Sequence, residues 1–132
     1  MQIVVADDDP VMRALLQLKL EAEGHHVTLA RDGNEALALA GSARPGLMVL
    51  DVAMPGIDGL EVTRRLRQQP ETARLPIVLL TGRDSDPDIM AGWKSGADYY
   101  ITKPFVMEHL RYFIKTMHRT PDANEPWDDS PG

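Results

Sequence analysis

The stretch LMVLDVAMPGIDG, residues 47–59, decides the fold of this chain. It opens with a run of apolar residues that leads directly into Asp51, and a Pro55-Gly56 turn follows. A short apolar run between turn signals is typical of a strand that is buried on both faces. Asp51 would then lie at the carboxyl end of a central strand, where an open α/β sheet leaves a crevice for ligands. The alternative is that Asp51 only ends the strand and caps the next turn.

Apolar runs on both sides of this stretch alternate with amphipathic segments. The predicted strands are 3–6, 26–30, 47–50, 77–80 and 99–101, and the predicted helices are about 10–23, 35–42, 58–68, 86–96 and 106–118. Met12, Leu15, Leu16 and Leu20 form the expected apolar stripe of the first helix. Strands that alternate with helices of this length indicate a parallel sheet with helices on both faces. We therefore predict an α/β fold, a doubly wound five-stranded parallel sheet with five helices.

Composition limits the classes of function. The chain has 132 residues, of which 43% are hydrophobic and 26% charged, as in a globular protein with one domain. A net charge of −6 argues against direct nucleic-acid binding, and no apolar run approaches the length of a membrane span. The chain has no cysteine and no signal-peptide pattern, so we expect a cytoplasmic protein without disulfides. We expect residues 1–118 to form the domain, and the acidic, Pro-rich residues 119–132 to be a disordered tail or linker.

The ends of four predicted strands carry reactive side chains. These are Asp7, Asp8, Asp9, Asp51, Thr81 and Lys103. Taken singly, each has an ordinary alternative as a helix cap, a turn residue or a surface lysine. Together they should meet, because the carboxyl ends of parallel strands share one edge of the sheet. Clustered carboxylates repel one another unless a cation is present, and Mg²⁺ binds few carboxylates and completes its shell with phosphate oxygens. With a lysine and a hydroxyl, these groups are suited to moving a phosphoryl group onto a carboxylate.

Four stretches carry a resemblance to a known family. They are VVADDDP at 4–10, VLDVAMPGIDG at 49–59, LLTG at 79–82 and GADYYITKPF at 96–105. At this spacing they resemble the receiver domain of the response regulators of two-component signalling, over about residues 1–118. The resemblance implies a flavodoxin-like sheet with strand order 2-1-3-4-5. It also implies a domain that assists its own phosphorylation and dephosphorylation but is not a turnover enzyme.

The resemblance implies a role for each residue at this edge. Asp51 would be the phosphoacceptor, supplied by a histidine kinase or a histidine phosphotransfer protein. Mg²⁺, with Mn²⁺ or Ca²⁺ as substitutes, would be bound by Asp8, Asp51 and the backbone carbonyl of Ala53, with Asp7 acting through a water. Lys103 would bind the phosphoryl group.

The resemblance also implies a switch. Thr81 would bind the phosphoryl group and move toward it, Tyr100 would turn into the vacated space, and Pro104 would follow a cis peptide bond. The output face would be formed by the fourth helix, the fifth strand and the final helix, including Trp93, Lys94, Tyr99 and Tyr112. The alternatives are that Trp93 is a core residue of the fourth helix and that Tyr112 is only an exposed aromatic residue of the last helix. This output face would bind a downstream output domain or protein. Tyr99 stands where many receivers with DNA-binding outputs have an acid, so we expect a monomer or weak homodimer.

Three other classes of protein share part of this pattern. A phosphatase of the haloacid-dehalogenase type also uses Asp, Mg²⁺, Thr and Lys, but it carries its nucleophilic Asp on the first strand with a second Asp two residues later. A flavodoxin-like nucleotide or flavin module needs a Ser/Thr/Gly-rich phosphate loop after strand one, where this chain has Asp7-Asp8-Asp9-Pro10. A receiver-like interaction module that works without phosphorylation remains open on the sequence alone.

Overall fold

The computed structural model describes residues 1–82 and 94–117. The strands are β1 (Gln2–Ala6), β2 (His26–Ala30), β3 (Leu47–Asp51), β4 (Ile77–Thr81) and β5 (Tyr99–Thr102). The helices are α1 (Pro10–Ala22), α2 (Gly33–Ser42), α3 (Gly59–Arg67) and α4 (Met107–Met117). All strand pairs are parallel and the order is β2-β1-β3-β4-β5. The predicted fold and strand order are therefore confirmed.

The helices begin where aspartates cap them. Asp9, Asp32 and Asp58 are the N-caps of α1, α2 and α3, and each carboxylate accepts a hydrogen bond from a backbone N–H in the first turn. Because Asp32 is a cap, α2 begins at Gly33, two residues before the predicted start at Glu35. The predicted helix 86–96 lies mostly outside the described residues, so α4 is the fifth of the predicted helices.

The sheet is buried on both faces. All residues of β3 and β4 are buried, as expected for central strands of a parallel sheet. Helices α1 and α4 cover one face, and α2 and α3 cover the other. The predicted apolar stripe of α1 is wrong at Leu15, which is 43% exposed, whereas Leu16 and Leu20 are buried. None of the helices in the described ranges has the length and apolar character that crossing a membrane requires.

Strand register places the candidate residues at one edge. Ala6 pairs with Leu50, so Asp7 and Asp51 are neighbours just beyond these partners. On the other side, Thr81 pairs with Thr102, and the backbone N–H of Lys103 donates to the Thr81 carbonyl. Residues that are far apart in sequence therefore meet above the carboxyl ends of β1, β3, β4 and β5.

Candidate functional site

Three carboxylates lie together at the carboxyl edge of the sheet. Asp7 follows β1 and is fully buried, Asp51 ends β3 and is 5% exposed, and Asp8 is exposed to solvent. One carboxylate oxygen of each lies within 4.8 Å of the other two. Asp9, the fourth acid considered at this edge, instead caps α1 by accepting a hydrogen bond from the Val11 backbone.

Lys103 bridges the two buried acids. Its Nζ lies 2.9 Å from Asp7 Oδ2 and 3.3 Å from Asp51 Oδ2. The bridge joins the end of β1, the end of β3 and the residue after β5. The peptide bond between Lys103 and Pro104 is cis. Among the described residues, one ammonium group contacts two acids of a cluster of three carboxylates, so negative charge is in excess there.

The neighbouring charges change the pKa values of Asp51 and Lys103. Burial, and then the neighbouring charge of Asp7, raises the pKa of Asp51 to about 6, although Lys103 and the Ala53 backbone N–H act in the opposite direction. Burial alone would lower the pKa of Lys103, but its hydrogen bond to Asp7 and the charges of Asp51 and Asp7 raise that pKa overall. A divalent cation would relieve the repulsion between the carboxylates.

Backbone groups orient both buried acids. The N–H of Ala53 lies 3.2 Å from Asp51 Oδ1, and the N–H of Asp9 donates to Asp7 Oδ1 at 2.9 Å. Arg13 Nη1 donates to the Asp7 carbonyl oxygen at 2.7 Å, which fixes the backbone beside the cluster. The sequence interpretation missed Arg13. The available signal was its position in the first turn of the helix that follows the Asp triplet.

Thr81 and Tyr100 occupy neighbouring strands. Thr81 is buried at the end of β4, and Tyr100 on β5 packs against the core that α2 and α3 cover. The Tyr100 hydroxyl is buried and has no hydrogen-bond partner within the described part of the chain.

The residues predicted for the output face are only partly brought together. Tyr99 stacks on Phe113 of α4, with ring centroids 5.1 Å apart and an angle of 8° between the planes. Tyr112 and Lys94 are exposed. Trp93 lies outside the described residues. The sequence interpretation missed the partner of Tyr99.

An apolar groove of about 450 Å³ runs between α1 and the segment that follows Lys103. Met12, Leu15, Phe105 and Met107 are among the residues that line it. Val11 and Leu18 on α1 are also exposed, at 74% and 68%. The groove reaches Pro104 and Phe105, the residues directly after Lys103, and so begins next to the edge with the three acids.

Relatives of known structure have this same architecture. The TrrA response regulator of Thermotoga maritima, solved with Mg²⁺ and a beryllium fluoride, superposes with a TM-score of 0.78 at 35% identity, over 88% of this chain and 97% of that one. The receiver domain of a sensor histidine kinase of Pseudomonas aeruginosa PAO1, solved with magnesium in its active-site cleft, gives a TM-score of 0.81 at 30% identity, over 87% and 94%.

Sequence comparison leads to the same family. The response regulator MprA of Mycolicibacterium vanbaalenii is 47% identical over 123 residues, which is 92% of this chain and 52% of MprA. This chain thus spans about half the length of the curated relatives it matches. The family model described as the response regulator receiver domain matches residues 3–115. The chain, from its sheet order to its three carboxylates, therefore belongs to the response regulator receiver domain family.

Proposed function

We propose that this chain is the phosphoacceptor of a two-component system, and that Asp51 accepts a phosphoryl group from a phosphohistidine. A receiver domain is not a turnover enzyme, so membership of the family removes the phosphatase alternative, and it removes the flavin-module alternative as well. The observation that carries the proposal is the position of Asp51, within 4.8 Å of Asp7 and Asp8 and 3.3 Å from Lys103 Nζ. With a pKa of about 6, Asp51 is mostly ionised at pH 7 and can act as a nucleophile.

The donor set fits a hard divalent cation. Asp8, Asp51 and the Ala53 carbonyl would bind Mg²⁺ directly, and Asp7 would act through a water. Three carboxylates opposed by one lysine ammonium leave negative charge that such a cation would balance. When bound, Mg²⁺ would neutralise charge on the phosphoryl oxygens. The two relatives solved with magnesium in this family support the same assignment.

Side chains at this edge would then position the phosphoryl group for its transfer to Asp51. A carboxylate oxygen of Asp51 attacks phosphorus, the P–N bond to the imidazole breaks, and the departing imidazole takes up a proton. Lys103 Nζ already lies beside Asp51 and can donate to a phosphoryl oxygen without a large movement. Thr81, at the end of β4, would supply a hydroxyl to the same group.

Phosphorylation would then bias a two-state switch. Movement of Thr81 toward the phosphoryl group would vacate space that Tyr100 can fill. The Tyr100 hydroxyl, which has no hydrogen-bond partner among the described residues, supports this assignment, because reorientation would give it access to new partners. The output face, with Trp93, Lys94, Tyr99 and Tyr112, would transmit the change to a downstream domain or protein. The stacked Tyr99–Phe113 pair puts no charged group at that point, in keeping with a monomer or weak homodimer.

A partner that carries the phosphohistidine must approach the edge where Asp51 lies. The exposed Val11 and Leu18, and the groove lined by Leu15 and Phe105, provide apolar surface next to that edge. A helix of a histidine kinase or histidine phosphotransfer protein with an apolar stripe would fit there. We place the protein in the cytoplasm with such a partner, with residues 1–118 as the receiver and 119–132 as a tail or linker.

The test is intact mass spectrometry after incubation with acetyl phosphate and Mg²⁺. We expect the mass of one phosphoryl group to be added to the wild type, and no addition in Asp51→Asn or in the presence of EDTA. The fluorescence of Trp93 and Trp127 should respond to beryllofluoride in the wild type only. An unmodified wild type with no spectral response would refute phosphorylation and leave a phosphorylation-independent binding module.

A further inference from the structure

The loop between β3 and α3, residues 52–58, connects Asp51 to the next helix and carries the Ala53 carbonyl. Its base is closed, because the N–H of Gly59 donates to the Val52 carbonyl at 3.0 Å. Gly59 also lies so close to the Asp51 backbone that a Cβ there would contact the Asp51 carbonyl oxygen and come within 3.1 Å of Val52 Cα. The loop is therefore a compact turn whose two ends are held together beside Asp51.

Helix α2 approaches this loop most closely at Gly33. Gly33, the first residue of α2, is buried. A Cβ at this position would overlap the Ile57 carbonyl oxygen, and it would lie 2.6 Å from Ile57 Cγ1 and 3.0 Å from Val62 Cγ2. The overlap is with a backbone oxygen, which cannot rotate away as the end of a side chain could. Gly33 is thus required for close approach of the two segments.

We propose that Gly33 is a positioning residue for the magnesium site, acting from α2 through the β3–α3 loop. Because the loop is closed at its base and Met54 is buried, a push at Ile57 should move the loop as one piece and carry the Ala53 carbonyl with it. That carbonyl is a proposed magnesium ligand, so its displacement should weaken the binding of Mg²⁺. The inference rests on the proposed function, since it concerns the affinity of that same site.

The chain contains a matched control on the same helix. Gly41 also belongs to α2, but a Cβ there would have no heavy atom within 4 Å. Gly33→Ala and Gly41→Ala make the same chemical change at the two ends of one helix. Only the alanine at position 33 would overlap the loop, at Ile57. A general effect of alanine on helix stability would appear in both variants.

The experiment is a Mg²⁺ titration of the wild type and both variants, followed by calorimetry and by the amide resonance of Ala53. We expect Gly33→Ala to bind Mg²⁺ about 10-fold more weakly, in the range found when residues that support metal ligands are changed. Gly41→Ala should match the wild type. The modification by acetyl phosphate should fall in Gly33→Ala at low Mg²⁺ and recover at saturating Mg²⁺, which a purely structural defect would not produce.

The outcomes separate this inference from the proposed function. A folded Gly33→Ala variant that binds Mg²⁺ within twofold of the wild type would overturn the role of Gly33 alone. A wild type that does not bind Mg²⁺ would overturn the metal site and this inference with it. If Gly33→Ala does not fold, Ile57→Ala removes the side-chain part of this contact instead, which loosens the loop against α2 rather than pushing it. An unchanged Mg²⁺ affinity in that variant would overturn the inference that α2 sets the position of the loop.

Discussion

The substitution Asp51→Asn should stabilise the metal-free protein, by an amount that depends on pH. Asp51 has a pKa of about 6 in the folded protein, against the ordinary value of 3.8, chiefly because of burial and then because of Asp7. A raised carboxyl pKa means that the folded state holds the proton more tightly than the unfolded state. The associated stability is fully present below pH 3.8 and is lost as the pH rises through about 6. The shift of about two pKa units corresponds to roughly 3 kcal/mol.

Asparagine keeps the shape of the side chain and cannot ionise. We therefore expect the stability advantage of the variant over the wild type to grow by about 2–3 kcal/mol between pH 4 and pH 8, with most of the change below pH 6.5. Urea denaturation in EDTA at several pH values measures this difference. Glu71→Gln is the control, because it removes one carboxylate at an exposed position and should give no comparable trend.

Magnesium should reduce the stability advantage of the Asn variant. A ligand that binds only the folded state stabilises it by an amount that grows with its concentration, so millimolar Mg²⁺ should stabilise the wild type and affect Asp51→Asn much less. A stability difference that is constant from pH 4 to pH 8, or an Asn variant that is less stable than the wild type at pH 8, would refute the electrostatic account of this site.

Three further substitutions test other contacts. Lys103→Met leaves Asp7 and Asp51 without their ammonium partner and should destabilise the protein by about 3–5 kcal/mol at pH 8, measured by urea denaturation; a loss below 1 kcal/mol would contradict the bridge. Tyr100→Phe removes a buried hydroxyl that has no hydrogen-bond partner within residues 1–82 and 94–117, and should raise the free energy of unfolding by about 1 kcal/mol in thermal denaturation, whereas destabilisation would reveal a bond to that hydroxyl. Arg67 donates hydrogen bonds to the carbonyls of Gly96, Thr72 and Leu75 and to the carboxylate of Asp98. Arg67→Met should therefore lower the free energy of unfolding by about 2–4 kcal/mol. The control Arg64→Met, on the exposed face of α3, should lower it by less than about 1 kcal/mol.

The sequence predicts the sheet and its reactive edge well, because both depend on local patterns. The apolar run before Asp51 is long enough to mark a buried strand, and the alternation with helices implies parallel order. The acids after β1 and β3 then have to be neighbours, as the register of Ala6 with Leu50 confirms.

Features that depend on packing between distant segments could not be predicted. Leu15 fits the apolar period of α1, yet it is exposed because it lines the groove beside the residues that follow Lys103, outside the core that contains Leu16 and Leu20. The contact of Tyr99 with Phe113 depends on how α4 crosses β5, and the contact of Gly33 with Ile57 depends on how α2 meets a loop. No periodic pattern in the sequence predicts these contacts between segments.

The bridge between Lys103 and Asp7 joins residues that are 96 positions apart. Almost the whole domain must be synthesised and folded before this ammonium group reaches its acid partners. A chain interrupted before β5 would carry Asp7 and Asp51 without the ammonium group that contacts them. The reactive edge would therefore be completed only when the last strand joins the sheet.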